Sequence, residues 1–146
     1  MFRDTHKSAM AGELWSWRES PEGALAEIIV LDQFSRNIFR DRPESFASDG
    51  LALTLAQTAV RLGQPEMVSG VQKSFFLMPY MHSESRVVQE ESIRLFSQDG
   101  ADNLKYATMH KKIIDQFGRY PHRNKILGRR STPEELEFLK SPDSSF

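Results

Sequence analysis

Along most of the chain apolar residues recur every three or four positions, the spacing that lines one face of an α-helix. Between Pro21 and Phe39 they fall at Ala24, Leu25, Ile28, Leu31, Phe34 and Ile38. Ile29, Val30 and Phe39 widen the stripe, which predicts a largely buried helix. Ser20 before Pro21 supplies a favoured cap and first-turn residue. A second helix opens at Asp49-Gly50 with Leu51, Leu55, Ala59 and Leu62 on one face, and Gly63 with Pro65 stops it. Its alanines (Ala52, Ala56, Ala59) favour helix and admit a close neighbour. A third runs from about Glu66 to Met81, weakened at Gly70 and Pro79. Its Phe75-Phe76-Leu77-Met78 run fits a strand equally well by periodicity, and the helical flanks decide for helix.

A fourth helix, near Glu84 to Gln98, sets Val88, Leu95 and Phe96 on one face around small Ser92 and ends at Asp99-Gly100. The fifth spans roughly Asp102 to Phe117, with Tyr106, Met109, Ile113 and Phe117 at helical spacing and Gly118 as a left-handed stop. A short helix starts at Pro121 and ends before Gly128. The last begins at Thr132-Pro133-Glu134-Glu135, a capping box, and is anchored by Leu136 and Leu139. With an amphipathic segment around Leu14-Trp15-Ser16-Trp17, the reading is seven or eight short helices. No alternating runs bounded by hairpin turns appear, so the fold class is all-α, with short connections making neighbours antiparallel. No internal repeat is visible.

The 146 residues suit one domain, placed at 1–140, with a tail at 141–146 that frays. Absence of Cys excludes disulfides, thiol catalysis and thiolate metal sites. The longest aliphatic run, Ile28-Ile29-Val30-Leu31, is far below the ~20 residues of a membrane span, and the first residues carry no signal-peptide pattern. A cytoplasmic, membrane-free protein is the expectation. Net charge is −1 but uneven: residues 1–100 carry 10 basic and 14 acidic side chains, residues 101–130 carry 8 and 2. General nucleic-acid binding is thereby disfavoured, and one segment is locally cationic.

Candidate chemistry concentrates in three places. In Arg119-Tyr120-Pro121-His122-Arg123-Asn124, a helix start offers unpaired N–H groups, and Arg119 and Arg123 add forked donors for an anion. Pairing of these arginines with internal carboxylates is the plainer reading. In the second stretch Asp32 and Arg36 stand i,i+4 as a helical ion pair, with Asn37 following and Arg40 continuing the face. Third, His82-Ser83-Glu84 begins the fourth helix, Ser83 as its cap. His110 lies beside the apolar face of the fifth helix, where a hydrogen-bonded core histidine is expected. His6, His82, His110 and His122 show no metal-binding spacing, so neither a metal nor a cofactor is expected.

Three blocks carry a resemblance. Leu31-Asp32-Gln33-Phe34-x-Arg36-Asn37-Ile38-Phe39-Arg40, His82-Ser83-Glu84, and the run from His110 through Phe117-Gly118-Arg119-Tyr120-Pro121-His122-Arg123-Asn124 to Leu127-Gly128-Arg129 resemble the signature of domain-of-unknown-function family 924. The resemblance runs from about Ala11 to the end. It implies a bacterial protein with short helices stacked in a tetratricopeptide-like array, and brings no activity with it. Ser35 stands where relatives usually carry Pro, which implies a milder kink there. Relatives also carry a Trp- and Phe-rich helical segment ahead of this region. The resemblance implies apolar surface left exposed where that segment would pack, unless the sequence is a shortened form, a protein partner or self-association covers that face, or the protein compensates locally.

The leading functional expectation is a binding module for an anionic small molecule or peptide, a carboxylate or phosphate. Its groove draws on Arg36, Asn37, Arg40, His82, Glu84, His110, Arg119, His122, Arg123 and Asn124. The alternative is a hydrolase-type enzyme using the same groove; it requires a histidine bonded to a carboxylate or hydroxyl in a pocket that also holds an arginine. RNA binding, with Tyr106, Phe117 and Tyr120 as stacking surfaces, is a distant third.

Overall fold

The computed structural model describes residues 2–99 and 101–146, so Gly100, expected to close the fourth helix with Asp99, lies outside the described residues. The helical pattern is realised in α1 (Phe2–Met10), α2 (Pro21–Ile29), α3 (Ser35–Ile38), α4 (Asp49–Arg61), α5 (Gly70–Met81), α6 (Arg86–Asp99), α7 (Ala101–Phe117) and α8 (Pro133–Phe138). No strand occurs among the described residues. The side chain of Ser20 accepts from Gly23 N at the start of α2, and Thr132 with Glu135 forms the complete capping box of α8. Left-handed Gly63 follows α4 and left-handed Gly118 follows α7.

The central core joins α2, α4, α5, α6 and α7 through Ile28, Ala56, Ala59, Phe76, Leu77, Phe96 and Ala107. The α4 face departs from expectation. Ala52, Ala56 and Ala59 are its buried residues, whereas Leu62 is exposed. Small side chains let α2 and α5 close on α4, and the leucines flank that seam. A second cluster packs Ala9 of α1 against Val30, Leu31 and Ala52; a third sets Ile113, Ile114 and Tyr120 with Phe117 and Phe138.

Several boundaries move for local reasons. α1 was not expected; its inner face buries His6 and Ala9, and His6 Nε2 lies 2.6 Å from Ser35 Oγ. The Trp15–Glu19 segment is a 3-10 turn that leaves Trp15 exposed. Gln64–Met67 forms its own 3-10 turn, so α5 starts at Gly70. Pro121–Arg123 is likewise a single 3-10 turn. The cap of α6 is Ser85 rather than Ser83: Ser85 Oγ accepts from Val88 N, and Ser83 Oγ accepts from Ser85 N. Leu136 is 55% exposed, and α8 is held instead by buried Glu135 and by Phe138 against Phe117. The tail expected to fray folds back: Ser144 is buried, its hydroxyl donates to Leu139 O, and the Phe146 ring stacks on His110.

The most consequential departure lies between α2 and α3. The regular stripe read from Pro21 to Phe39 contains a π turn at Val30–Phe34. The hydroxyls of Ser35 and Ser48 both donate to Leu31 O within this turn. Asp32 sits in that turn, 1% exposed.

Candidate functional site

The π turn delivers Asp32 to the inside of the protein, where three groups, His82, Arg36 and Gln33, meet its carboxylate. His82, which caps α5, donates from Nδ1 to Asp32 Oδ1 at 2.7 Å across 50 residues of sequence. Arg36 reaches the same oxygen at 3.0 Å, and Gln33 Nε2 donates to Oδ2 at 2.7 Å. Burial pushes this carboxyl up, but His82, Arg36 and Gln33 together hold it below the usual range. Arg36 also forks onto Asp49, the first residue of α4, at 2.8 and 3.0 Å. Burial works against the Arg36 charge and the two aspartates more than offset it.

Around this pair lies a hollow of about 210 Å³, its wall formed by Gln33, Arg36, His82, His110, His122 and Arg123 with the rings of Phe46, Tyr120 and Phe146. His110 donates from Nδ1 to Tyr106 O at 2.7 Å, one helical turn back. Burial lowers its pKa to about 4, so near neutrality the ring is uncharged and Nε2 is an acceptor. His122 is lowered to about 4 by burial and then by Arg123, and its buried Nδ1 has no partner among the described residues. Tyr120 is fully buried; its hydroxyl donates to Met81 O and accepts from Gln89. Phe146 stacks on His110 with ring centroids 3.9 Å apart.

Arg123 is a buried charge with few partners among the described residues. It is 6% exposed, with its guanidinium clamped between Phe46 at 4.5 Å and Tyr120 at 4.6 Å. With two rings against it, its polar contacts are made through the edge donors. Nη2 donates to His82 O at 3.0 Å, Nη1 stands 3.6 Å from an Asp49 oxygen that Arg36 also holds, and Nε has no partner among the described residues. Burial pushes this guanidinium down from its ordinary range, against the pull of Asp49.

The rest of the expected groove does not converge here. Arg119 forks onto Glu135 at 2.9 and 2.7 Å and also donates to Arg130 O. Asn124 is buried, donating to Glu135 and Ser131 and accepting from Arg129. Glu84 is held by both Arg129 donors and by Tyr120 N, so despite burial its carboxyl stays below the usual range. Asn37 and Arg40 lie exposed, outside the hollow. Arg119, Asn124, Glu84 and Arg129 are therefore a lock joining α8 and the 121–131 loop to the start of α6. Tyr120 is sealed and Phe117 packs on Phe138, so two of the three aromatic side chains that an RNA reading invokes are turned inward.

Gln33, Phe46 and Phe146 are not among the site residues that the sequence singles out, and Asp32 stands there as the helical ion-pair partner of Arg36. The helix-compatible run from Pro21 to Phe39 gives no sign of a π turn, and the approach of Phe46 and Phe146 is a long-range event. No group of three or more His, Asp or Glu among the described residues is disposed to hold a metal ion.

Fold and site together define an all-α protein with a small, enclosed, polar and aromatic hollow. Residues 1–143 match the model of the family described as bacterial protein of unknown function (DUF924), and the chain belongs to that family. It is similar, at 41% identity and a TM-score of 0.92, to the solved structure of a protein of unknown function, ATU0120 from Agrobacterium tumefaciens. The likeness covers 95% of this chain and 79% of that one. No curated protein matches. Among the described residues, no helix is long and apolar enough to cross a membrane.

Proposed function

We propose that the chain binds a small molecule through one anionic group, a carboxylate or a phosphate, seated against Arg123 in the hollow. The observation behind this reading is Arg123 itself: a guanidinium 6% exposed, whose Nη1 stands 3.6 Å from an Asp49 carboxylate already forked onto Arg36. With Nε sealed from solvent, the donor left to an anion is Nη1, whose long carboxylate contact a charge-assisted hydrogen bond would improve upon. Arg36 and Arg123 are balanced by Asp32 and Asp49 in the same region, which limits the guest to a single negative group. The hollow's volume of about 210 Å³ limits its size. The broad groove of the sequence reading narrows accordingly to one arginine and its neighbours.

Thermal unfolding with acetate, phosphate and neutral amides tests this. Anions should raise the melting temperature of the wild type and of Arg119→Gln, and leave Arg123→Gln unmoved. An equal rise in Arg123→Gln would remove the site.

A second reading has its own support. His82 is oriented by a buried carboxylate in the same hollow as Arg123, the arrangement of a general base with its positioning partner. It would take a proton from water attacking a small ester. Hydrolysis of activated esters, lost in Asp32→Asn, is the measurement; absence of any turnover sinks it.

A further inference from the structure

Beside the hollow opens a second, larger cleft of about 490 Å³. Phe46, His82 and Arg123 line both spaces, so the two share a wall. Beyond that wall the cleft is lined mainly by Pro43, Ala47, Leu53, Pro79 and Leu127. Its two carboxylates are already engaged, Asp49 by Arg36 and Glu84 by Arg129. The hydroxyl of Ser83 is taken by Ser85 N. The cleft thus offers apolar surface and few open hydrogen-bonding groups, and a peptide backbone laid there would go unmatched. An aliphatic chain has no such demand.

We infer that the ligand is a small amphiphile, with a single anionic head at Arg123 and an unbranched aliphatic chain lying in the cleft. The inference rests on the anion-binding reading above and adds what the rest of the molecule must be. Arg123 lines the cleft as well as the hollow, so a head group at its edge and an aliphatic chain along the cleft can be the two ends of one short fatty-acid-like or alkyl-phosphate molecule. Burying methylenes supplies the affinity that one charge-assisted contact lacks.

Calorimetric titration of the full chain with straight-chain carboxylates from acetate to octanoate decides the matter, with alkyl phosphates of the same lengths identifying the head group. Affinity should rise about two- to fourfold with each added methylene until the cleft is filled. Ala47→Trp, a change at an exposed position that fills the cleft, should bind acetate within about twofold of wild type and lose the chain-length gain. Leu127→Gln, outside any helix, should blunt the same gain. Affinity that is flat with chain length, yet lost in Arg123→Gln, overturns the amphiphile and leaves the anion site standing. A gain that survives both cleft variants overturns it as well. Binding of the whole series by Arg123→Gln as by wild type overturns the head-group assignment on which the proposal rests.

Discussion

Removing the charge of Glu135 separates the structural arginines from the functional one. Its carboxylate accepts from Arg119 Nε and Nη2, from Asn124 Nδ2 and from Thr132 N, so the lone pairs are sealed by these partners rather than by depth alone. These bonds, the Arg119 pair first, hold its pKa at about 2 against an ordinary 4.5. At about 1.4 kcal/mol per unit, the full shift corresponds to roughly 3 kcal/mol of folding free energy. The Arg119 side chain is 29% exposed and regains water when its partner is lost, so about 2 kcal/mol is the expected cost of Glu135→Gln at neutral pH. Because the folded-state pKa is depressed, this stabilisation is present above pH 4.5 and drains away as the pH falls toward 2. Urea unfolding of wild type and Glu135→Gln should therefore differ by about 2 kcal/mol at pH 7 and by about half that at pH 3. Both proteins should keep the anion-dependent rise in melting temperature, since Glu135 is no part of the hollow. A gap that does not change with pH would refute the depressed carboxylate. A lost anion response in a folded variant would refute the division between lock and site.

Two further outcomes follow from the hollow. His110 and His122 are both held at about 4, below the ordinary 6.5, so the unfolded chain takes up their protons first. The contribution of these two histidines to stability should fall as the pH drops from 6.5 to about 4 and level off below, and His110→Gln should make the melting temperature less steep in that window; an unaltered slope would mean His110 titrates normally. If esters are hydrolysed, Asp32→Asn should lower kcat by about 10²–10⁴-fold with KM little changed, because Asp32 orients His82 without touching substrate. A change in KM alone would cast Asp32 as a purely structural anchor.

The helical content was legible because it rests on local chemistry. Ser20-Pro21, Thr132 with Glu135, and Gly118 announced their helix ends through caps and backbone freedom, and each does that work in the fold. The apolar stripe located the core but misjudged α4, since periodicity weights leucine above alanine while close helix packing buries the smaller residue. The candidate site was legible in part. Arg36, His82, His110, His122 and Arg123 do share one hollow, from stretches up to 87 positions apart in the numbering. Arg119, Asn124 and Glu84 were indistinguishable from them in sequence, because a guanidinium or carboxylate shows its partner only in three dimensions. The π turn was invisible for a related reason: the serine hydroxyls that converge on Leu31 O within it include one 17 residues away.

That turn explains why an arginine is left unmatched at all. A regular α-helix from Pro21 onward would rotate Asp32 away from its present place, and His82 and Arg36 would lose the buried carboxylate that both share. With Asp32 inside, Arg36 is held at one side and reaches across to fork Asp49, occupying both oxygens of the acid nearest Arg123. Arg123 is then fixed by its stacking between Phe46 and Tyr120 and by His82 O, close enough to feel Asp49 but too far to pair with it well. Two serines and one widened turn thus set a chain of geometry whose last member is a guanidinium edge with a donor to spare, which is the feature a small anion would read.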